Sequence, residues 1–288
     1  MSQKIALKID HVTIAGSTLA RLEQAFANVG LATDYGGPHS NGVTHMALLG
    51  FDDGSYIELI STIEAGRKDT NFWGEHIVQD GGPCAWAVYV EDVAAEAVRV
   101  AQQGVSVSGP HYMNRSRPDG QLVEWELAFL GKQGAGANLP FIIKDITPRE
   151  RRVRPSASVT AQAGQPALLT GVAKVILAVR DLSQTIVLFQ RVYHWPDPAI
   201  VDEPDFEARL ASFAGAPVIL ATPLGKQSWL VDRLARFDES PCAFLIGTAN
   251  FEVAQKQYDL SEPIDWFGRP VAWFDPARLN GARLGVIG

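Results

Sequence analysis

Apolar and polar positions along the first sixty residues switch between a period of two and a helical period. Ile9, His11, Thr13 and Ala15 alternate with Asp10, Val12, Ile14 and Gly16, which predicts a short strand ended by Gly16-Ser17. Leu19, Leu22, Ala25, Phe26 and Val29 then recur at helical spacing, with Ser17 or Thr18 as cap and Gly30 as stop. Gly36-Gly37 marks a turn, and Val43 to Gly50 is a second strand run. Asp53-Gly54 has the composition of a tight hairpin turn, which returns the chain antiparallel through Tyr56 to Ile60. The order is β-α-β-β-β.

The order then repeats. After a polar loop with Arg67, Lys68 and Asp69, Cys84 to Val90 reads as a strand and Asp92 opens a helix closed by Gly104. Val105 to Ser108 is extended, and Gly109 to Gly120 reads as a loop rich in Pro, Arg and Asn. Leu122 to Leu130 and Asn138 to Ile146 are strands. Residues 148–166 break the pattern, beginning charged and becoming Ser/Ala/Gln/Gly-rich, as a linker does. Arg149, Arg151, Arg152 and Arg154 there read as a solvated segment, with an anion site as the alternative. The second half restarts at Gly171 to Val179 and repeats both units, with helices up to Tyr193, over Trp229 to Phe237 and over Phe251 to Tyr258. GGPCAWAVYV in the first half is echoed by ESPCAFLIGT in the second. The predicted class is α+β, with two domains, each of paired βαβββ modules forming a curled mixed β-sheet around a cavity. The boundaries fall at 1–147, a linker at 148–168, and 169–288.

Composition adds exclusions. A net charge of −7 with no basic block argues against a nucleic-acid surface. No apolar run approaches the roughly 18 residues of a membrane span, and the N-terminus has no apolar signal core, so a cytoplasmic protein is expected. Cys84 and Cys242 lie in apolar strands and read as buried free thiols.

These units resemble the vicinal oxygen chelate superfamily, which contains glyoxalase I, extradiol dioxygenases and bleomycin-resistance proteins. The first half is similar to the glyoxalase-like family with GGxHxxGT near its first hairpin, here Gly36-Gly37-Pro38-His39 followed by Gly42, Val43 and Thr44. Ser116 to Gly120 (SRPDG), Trp125 and Leu139 to Ile143 (LPFII) carry the same likeness. It covers residues 8–146 by motif and 171–288 by pattern alone. It implies a cavity on the concave face of each paired unit and does not fix a reaction.

The resemblance also implies one divalent metal (Fe, Mn, Zn or Ni) held by the first and last strands of two paired units, and carries His11 and Glu58 onto that role. The second unit departs from it: Ala85 stands at the position of His11, and Ile143 or Lys144 at that of Glu58. A metal-free site is therefore the other expectation, with Glu58 paired to His11 or, across the pseudo-twofold, to Lys144. In the second domain Lys174 replaces the histidine and no carboxylate follows, so that cavity reads as structural or filled. A two-residue Asp53-Gly54 turn would put His45 on the face of Glu58 but roughly 13 Å along its strand, at the pocket mouth. His39 sits in a loop from which it could swing in. Arg115, Arg117 and Asp119 would cover the cavity, with Arg117 clamping a substrate carboxylate or lying in a surface turn. Trp86, Trp125 and Phe141 read as core packing or as a wall for a planar ligand. His11 and Glu58 as catalytic groups, with His39, His45, Trp86, Arg117, Trp125, Phe141 and Lys144 around a small oxygen-rich or carboxylated ligand, form the expected site. Glyoxalase/dioxygenase-type lyase, isomerase or dioxygenase chemistry is one expectation, and non-catalytic sequestering of a small molecule is the other. Pairing with a second copy of the chain is left open.

Overall fold

The computed structural model describes residues 4–64, 67, 72–132, 136–161 and 166–288. Lys68, Asp69 and residues 133–135 and 162–165 of the expected turn and linker lie outside them. The N-terminal half runs β1 (Lys8–Ala15), α1 (Leu19–Asn28), β2 (Asp34–Pro38), β3 (Thr44–Gly50), β4 (Tyr56–Thr62), α2 (Gly74–Val78), β5 (Gly82–Tyr89), α3 (Val93–Gln102), β6 (Val107–Ser116), β7 (Leu122–Leu130) and β8 (Phe141–Asp145). After the short helix α4 (Arg149–Arg152) come β9 (Leu169–Ala178), α5 (Leu182–Tyr193), β10 (Ala199–Glu203), β11 (Ala208–Ser212), β12 (Val218–Pro223), α6 (Trp229–Phe237), β13 (Ser240–Thr248), α7 (Phe251–Gln257), β14 (Ile264–Trp266), β15 (Arg269–Trp273) and β16 (Leu284–Ile287).

Each half is one curled, mixed eight-stranded sheet, ordered β2-β3-β4-β1-β5-β8-β7-β6 and β10-β11-β12-β9-β13-β16-β15-β14. β1 runs parallel to β4 and antiparallel to β5, so the two βαβββ modules of the first half join along the β1–β5 seam. The fold is α+β with two domains, as the repeated hydrophobic pattern predicts.

Alternation along β1 separates two environments. Val12 and Ile14 enter a core that also takes Leu22 and Phe26 of α1 and Val93 and Ala97 of α3. That core continues without a break into the second half through Val175, Leu177, Phe189 and Phe244. His11 and Thr13 face the other way, into the concave side, beside Tyr56 and Glu58 of β4. The concave side of the second sheet is filled: α6 lays Leu230 and Leu234 against Ile176, Ala221 and Leu245, and Phe206, Trp229, Trp266 and Trp273 close it. Both cysteines are free and buried.

Three local expectations change. Gly36-Gly37 lies within β2, where a bulge between Tyr35 and Gly37 uses the left-handed backbone of Gly37 (φ +99°). Most of 109–120 is strand, because β6 pairs with β7 through Ser116. The linker arginines divide: Arg151 and Arg154 are exposed, Arg149 is half-buried, Arg152 is 4% exposed, and the chain after it docks on β3. Gly50 permits this docking, since a Cβ there would stand 2.1 Å from the Arg154 carbonyl oxygen.

His76 on α2 is buried, stacked at 4.5 Å on Phe237, and neither ring nitrogen has a hydrogen-bond partner. Burial, reinforced by Arg233, pulls its pKa from 6.5 to about 3. The unfolded chain therefore binds a proton between these values that the folded chain refuses, so stability is lost as pH falls below 6.5. Lowering the pH from 7.5 to 5 should cost the fold about 2 kcal/mol through this group. Urea midpoints of the wild type and His76→Leu at both pH values check this: an equal fall in both proteins would rule His76 out as the cause.

Candidate active site

A cavity of about 270 Å³ opens on the concave face of the first sheet, near the lower end for small-molecule sites. Its walls are apolar: Met46 and Leu48 of β3, Trp125, Leu127 and Phe129 of β7, and Phe141 and Ile143 of β8. Its polar end is built from His11, His39, Tyr56, Glu58, Asn114, Arg115 and Arg152.

A bulge in β1 sets this end. The β1–β5 register shifts between Ile9 and His11, so the adjacent side chains of Asp10 and His11 come together. His11 Nδ1 lies 2.6 Å from Asp10 Oδ1. Asp10 is buried, and burial pushes its carboxyl upward. Arg152, His11 and Arg149 outweigh this and hold it well below the usual carboxylate range. An ionised carboxylate only accepts, so Nδ1 carries the proton and Nε2 is left to the cavity. The ring is fixed further by stacking on Tyr56 (4.6 Å, 15°) and by the edge contact with Phe141 (5.2 Å, 69°).

Arg152 holds this assembly from behind. It donates to Asp10 Oδ2 at 2.8 Å, to the Tyr56 hydroxyl at 2.8 Å, and to Asp145 of β8. Arg149 joins it on Asp10 and also reaches the Gly54 carbonyl. Two arginines from one helical turn thus tie β1, β4 and β8 together beneath the cavity.

Glu58 is 6% exposed. His39 Nε2 stands 3.3 Å from its Oε1 and His11 Nε2 3.8 Å from its Oε2. Oε1 is buried and has no well-directed hydrogen bond. Burial raises its pKa, but His39, His11 and Arg115 together bring it below the ordinary 4.5, so Glu58 is a carboxylate at neutral pH. His39 is oriented by Thr44 Oγ1, 2.9 Å from its Nδ1.

The structure gathers His11, Glu58, His39, Trp125 and Phe141 around one cavity and places the other four expected residues elsewhere. His45 points to the opposite face of β3. The hairpin loop is Asp52-Asp53-Gly54, with Phe51 N–H donating to the Ser55 carbonyl at 2.9 Å, so Glu58 faces Leu48 and His45 faces Ser61. One residue of register turns every side chain over. Trp86 pairs with Val12, is fully buried on the helix side, and donates its indole N–H to the Ala137 carbonyl. Lys144 follows Ile143 on β8 and so faces away from Glu58; the expected pair across the pseudo-twofold does not form. Arg117 binds Asp119 (3.2 Å) and the Arg151 carbonyl (2.7 Å) outside this cavity. The arginine of β6 that does line it is Arg115, 4% exposed. Asp10 and Tyr56 carry no role in the sequence reading, and Arg149 and Arg152, expected there in a solvated segment, instead grip Asp10 beneath the cavity.

A family model described as a glyoxalase-like domain matches residues 9–193, more than half of the chain. The chain belongs to the glyoxalase-like domain family. It is thereby a member of the vicinal oxygen chelate superfamily. Among curated proteins no sequence matches this glyoxalase-like chain significantly. A hypothetical protein from Staphylococcus aureus is similar in structure over 97% of this chain and 98% of its own, with a TM-score of 0.61 at 18% identity. A mutant 4-hydroxymandelate synthase from Streptomyces coelicolor is similar over 98% and 92%, with a TM-score of 0.63 at 10% identity. At these identities the likeness is one of fold. No helix among the described residues is long and apolar enough to cross a membrane.

The superfamily implies a divalent metal on this face, and the donor set of this glyoxalase-like protein does not fit one. Among the described residues no three His, Cys, Asp or Glu side chains stand close enough together to hold an ion. His39 and His11 approach opposite oxygens of Glu58. The second module turns Ala85, Ala87, Phe141 and Ile143 toward the cavity, none of which is a ligand.

Proposed function

We propose that the N-terminal cavity is the active site of a proton-transfer enzyme for a small molecule with an apolar or planar body and a carbonyl or carboxyl head. The observation that carries this reading is Glu58: an ionised, buried carboxylate with one oxygen lacking a directed hydrogen bond, at the end of an apolar pocket. A buried acceptor left open costs free energy unless a ligand's donor completes it. Glu58 is the general base and removes a proton from a carbon beside the substrate's carbonyl. The electron pair moves onto the carbonyl oxygen, within the field of Arg115, and the proton returns to carbon to complete an isomerisation or epimerisation. His11, held by Asp10 and Tyr56, and His39, held by Thr44, each present Nε2 beside the base. Trp125, Phe129 and Phe141 exclude water and hold the body of the substrate.

The test is deuterium exchange in heavy water with a set of small 2-oxo and aryl-substituted carboxylic acids, followed by proton NMR beside calorimetric binding. The wild type should exchange the proton next to the carbonyl of an acid that it binds, and Glu58→Gln should bind that acid without exchange. Binding with no exchange in either protein would make the chain a sequestering protein instead. Stoichiometric Fe, Mn, Zn or Ni in protein purified without chelator, lost in His11→Ala, would overturn the metal-free mechanism.

A further inference from the structure

A second cavity, of about 330 Å³, lies behind the first and shares only Leu48, Arg115 and Arg152 with it. It sits between β2, the end of β6 and the segment that docks on β3 after α4, and four arginines line it: Arg115, Arg117, Arg152 and Arg154. The segment is pinned there, with Ser156 N–H donating to the Gly50 carbonyl at 2.9 Å and Gly50 N–H to Ser156 Oγ at 3.1 Å.

The charges in this pocket do not cancel. Arg152 is matched by Asp10 and Asp145, and Arg117 by Asp119. Asp34, the one acid in the lining, accepts from Ser156 Oγ at 2.6 Å. Arg115 and Arg154 have no carboxylate within ion-pair distance among the described residues. Arg115 is 4% exposed and donates only to the Gly36 and Arg152 carbonyls. Arg117 Nε is buried without a hydrogen-bond partner. A buried guanidinium facing a cavity with no counter-ion is costly, and guanidinium forks match carboxylate and phosphate oxygens.

We propose that this pocket binds an oxyanion, a carboxylate or phosphate group, gripped by Arg117 and Arg154 with Arg115 as its buried wall. The site is independent of the chemistry assigned to Glu58, because the residues that grip the anion do not line the other cavity.

Calorimetry on the full chain with inorganic phosphate, and separately with propionate, tests the site. One of these ions should bind saturably. Arg154→Gln, at an exposed position without an ion pair, and Arg117→Gln should each weaken that binding by about tenfold or more. Glu58→Gln should leave it unchanged. No saturable binding of either ion would overturn the proposal. So would loss of binding in Glu58→Gln with both arginine variants unaffected, since the anion would then be in the first cavity.

Discussion

Arg152→Met is expected to lower the free energy of unfolding by about 3–5 kcal/mol, the range for removing one partner from a buried ion-pair network. The guanidinium is 4% exposed and reaches Asp10, Asp145 and the Tyr56 hydroxyl at once. Its loss leaves two carboxylates beneath the cavity with Arg149 as their shared cation. Asp10 is fully enclosed and cannot recover its lost partner from water. Burial then pushes its carboxyl upward with less opposition, and a proton taken up by Asp10 would weaken its hold on His11 Nδ1. The same substitution should therefore slow any reaction in the cavity. Urea unfolding measures the first effect, and a double-mutant cycle with Asp145→Asn should show coupling, since both residues belong to one network. A loss below about 1 kcal/mol would mean that α4 is held by its backbone and the network is incidental.

Glu58→Gln should reduce the rate of proton exchange by about 10²–10⁴-fold, the usual contribution of a positioned general base. Glutamine keeps the shape and one acceptor but has no basic oxygen, so substrate affinity should change little and the loss should fall on the chemical step. The pH profile carries a sign. Glu58 lies below its ordinary 4.5, because His39, His11 and Arg115 outweigh the effect of burial. The base stays ionised from neutral pH into the acid range, so a fall in rate due to Glu58 should begin only below about pH 4.5. A tenfold loss in affinity with an unchanged rate constant would move Glu58 from base to binding group.

The sequence was most readable where one period governs a whole element. The alternation in β1 and the helical stripe in α1 gave the repeated module, and the repeat gave the two-sheet architecture. His11 and Glu58 were legible as a pair through the family resemblance, and β1 and β4 do lie side by side. What escaped depended on single-residue events. A three-residue hairpin loop where two were expected turned His45 away. A bulge at Asp10 put that carboxylate beside His11, against simple alternation. Among the arginines after β8, Arg149 has Asp145 four residues before it, at the spacing of an ordinary surface helix pair, so nothing in the sequence marks the segment as buried. Their other partner, Asp10, lies at the start of the chain on a strand that only the sheet brings near β8. Trp86 took the core-packing alternative rather than the pocket wall, and Lys144 was misplaced, since an aromatic or a lysine in an apolar strand does not state which face it takes.

The unbroken apolar layer between the two sheets has a practical outcome for anyone trimming this protein. Val12, Ile14 and Leu22 on one side and Val175, Leu177 and Phe189 on the other belong to a single buried cluster. A fragment ending before β9 would carry every catalytic candidate yet present a bare greasy back to solvent. Such a fragment should self-associate or precipitate even though its own hydrogen-bonded ladder is complete. The worn second half is thus a permanent internal lid for the first, retained for what it hides.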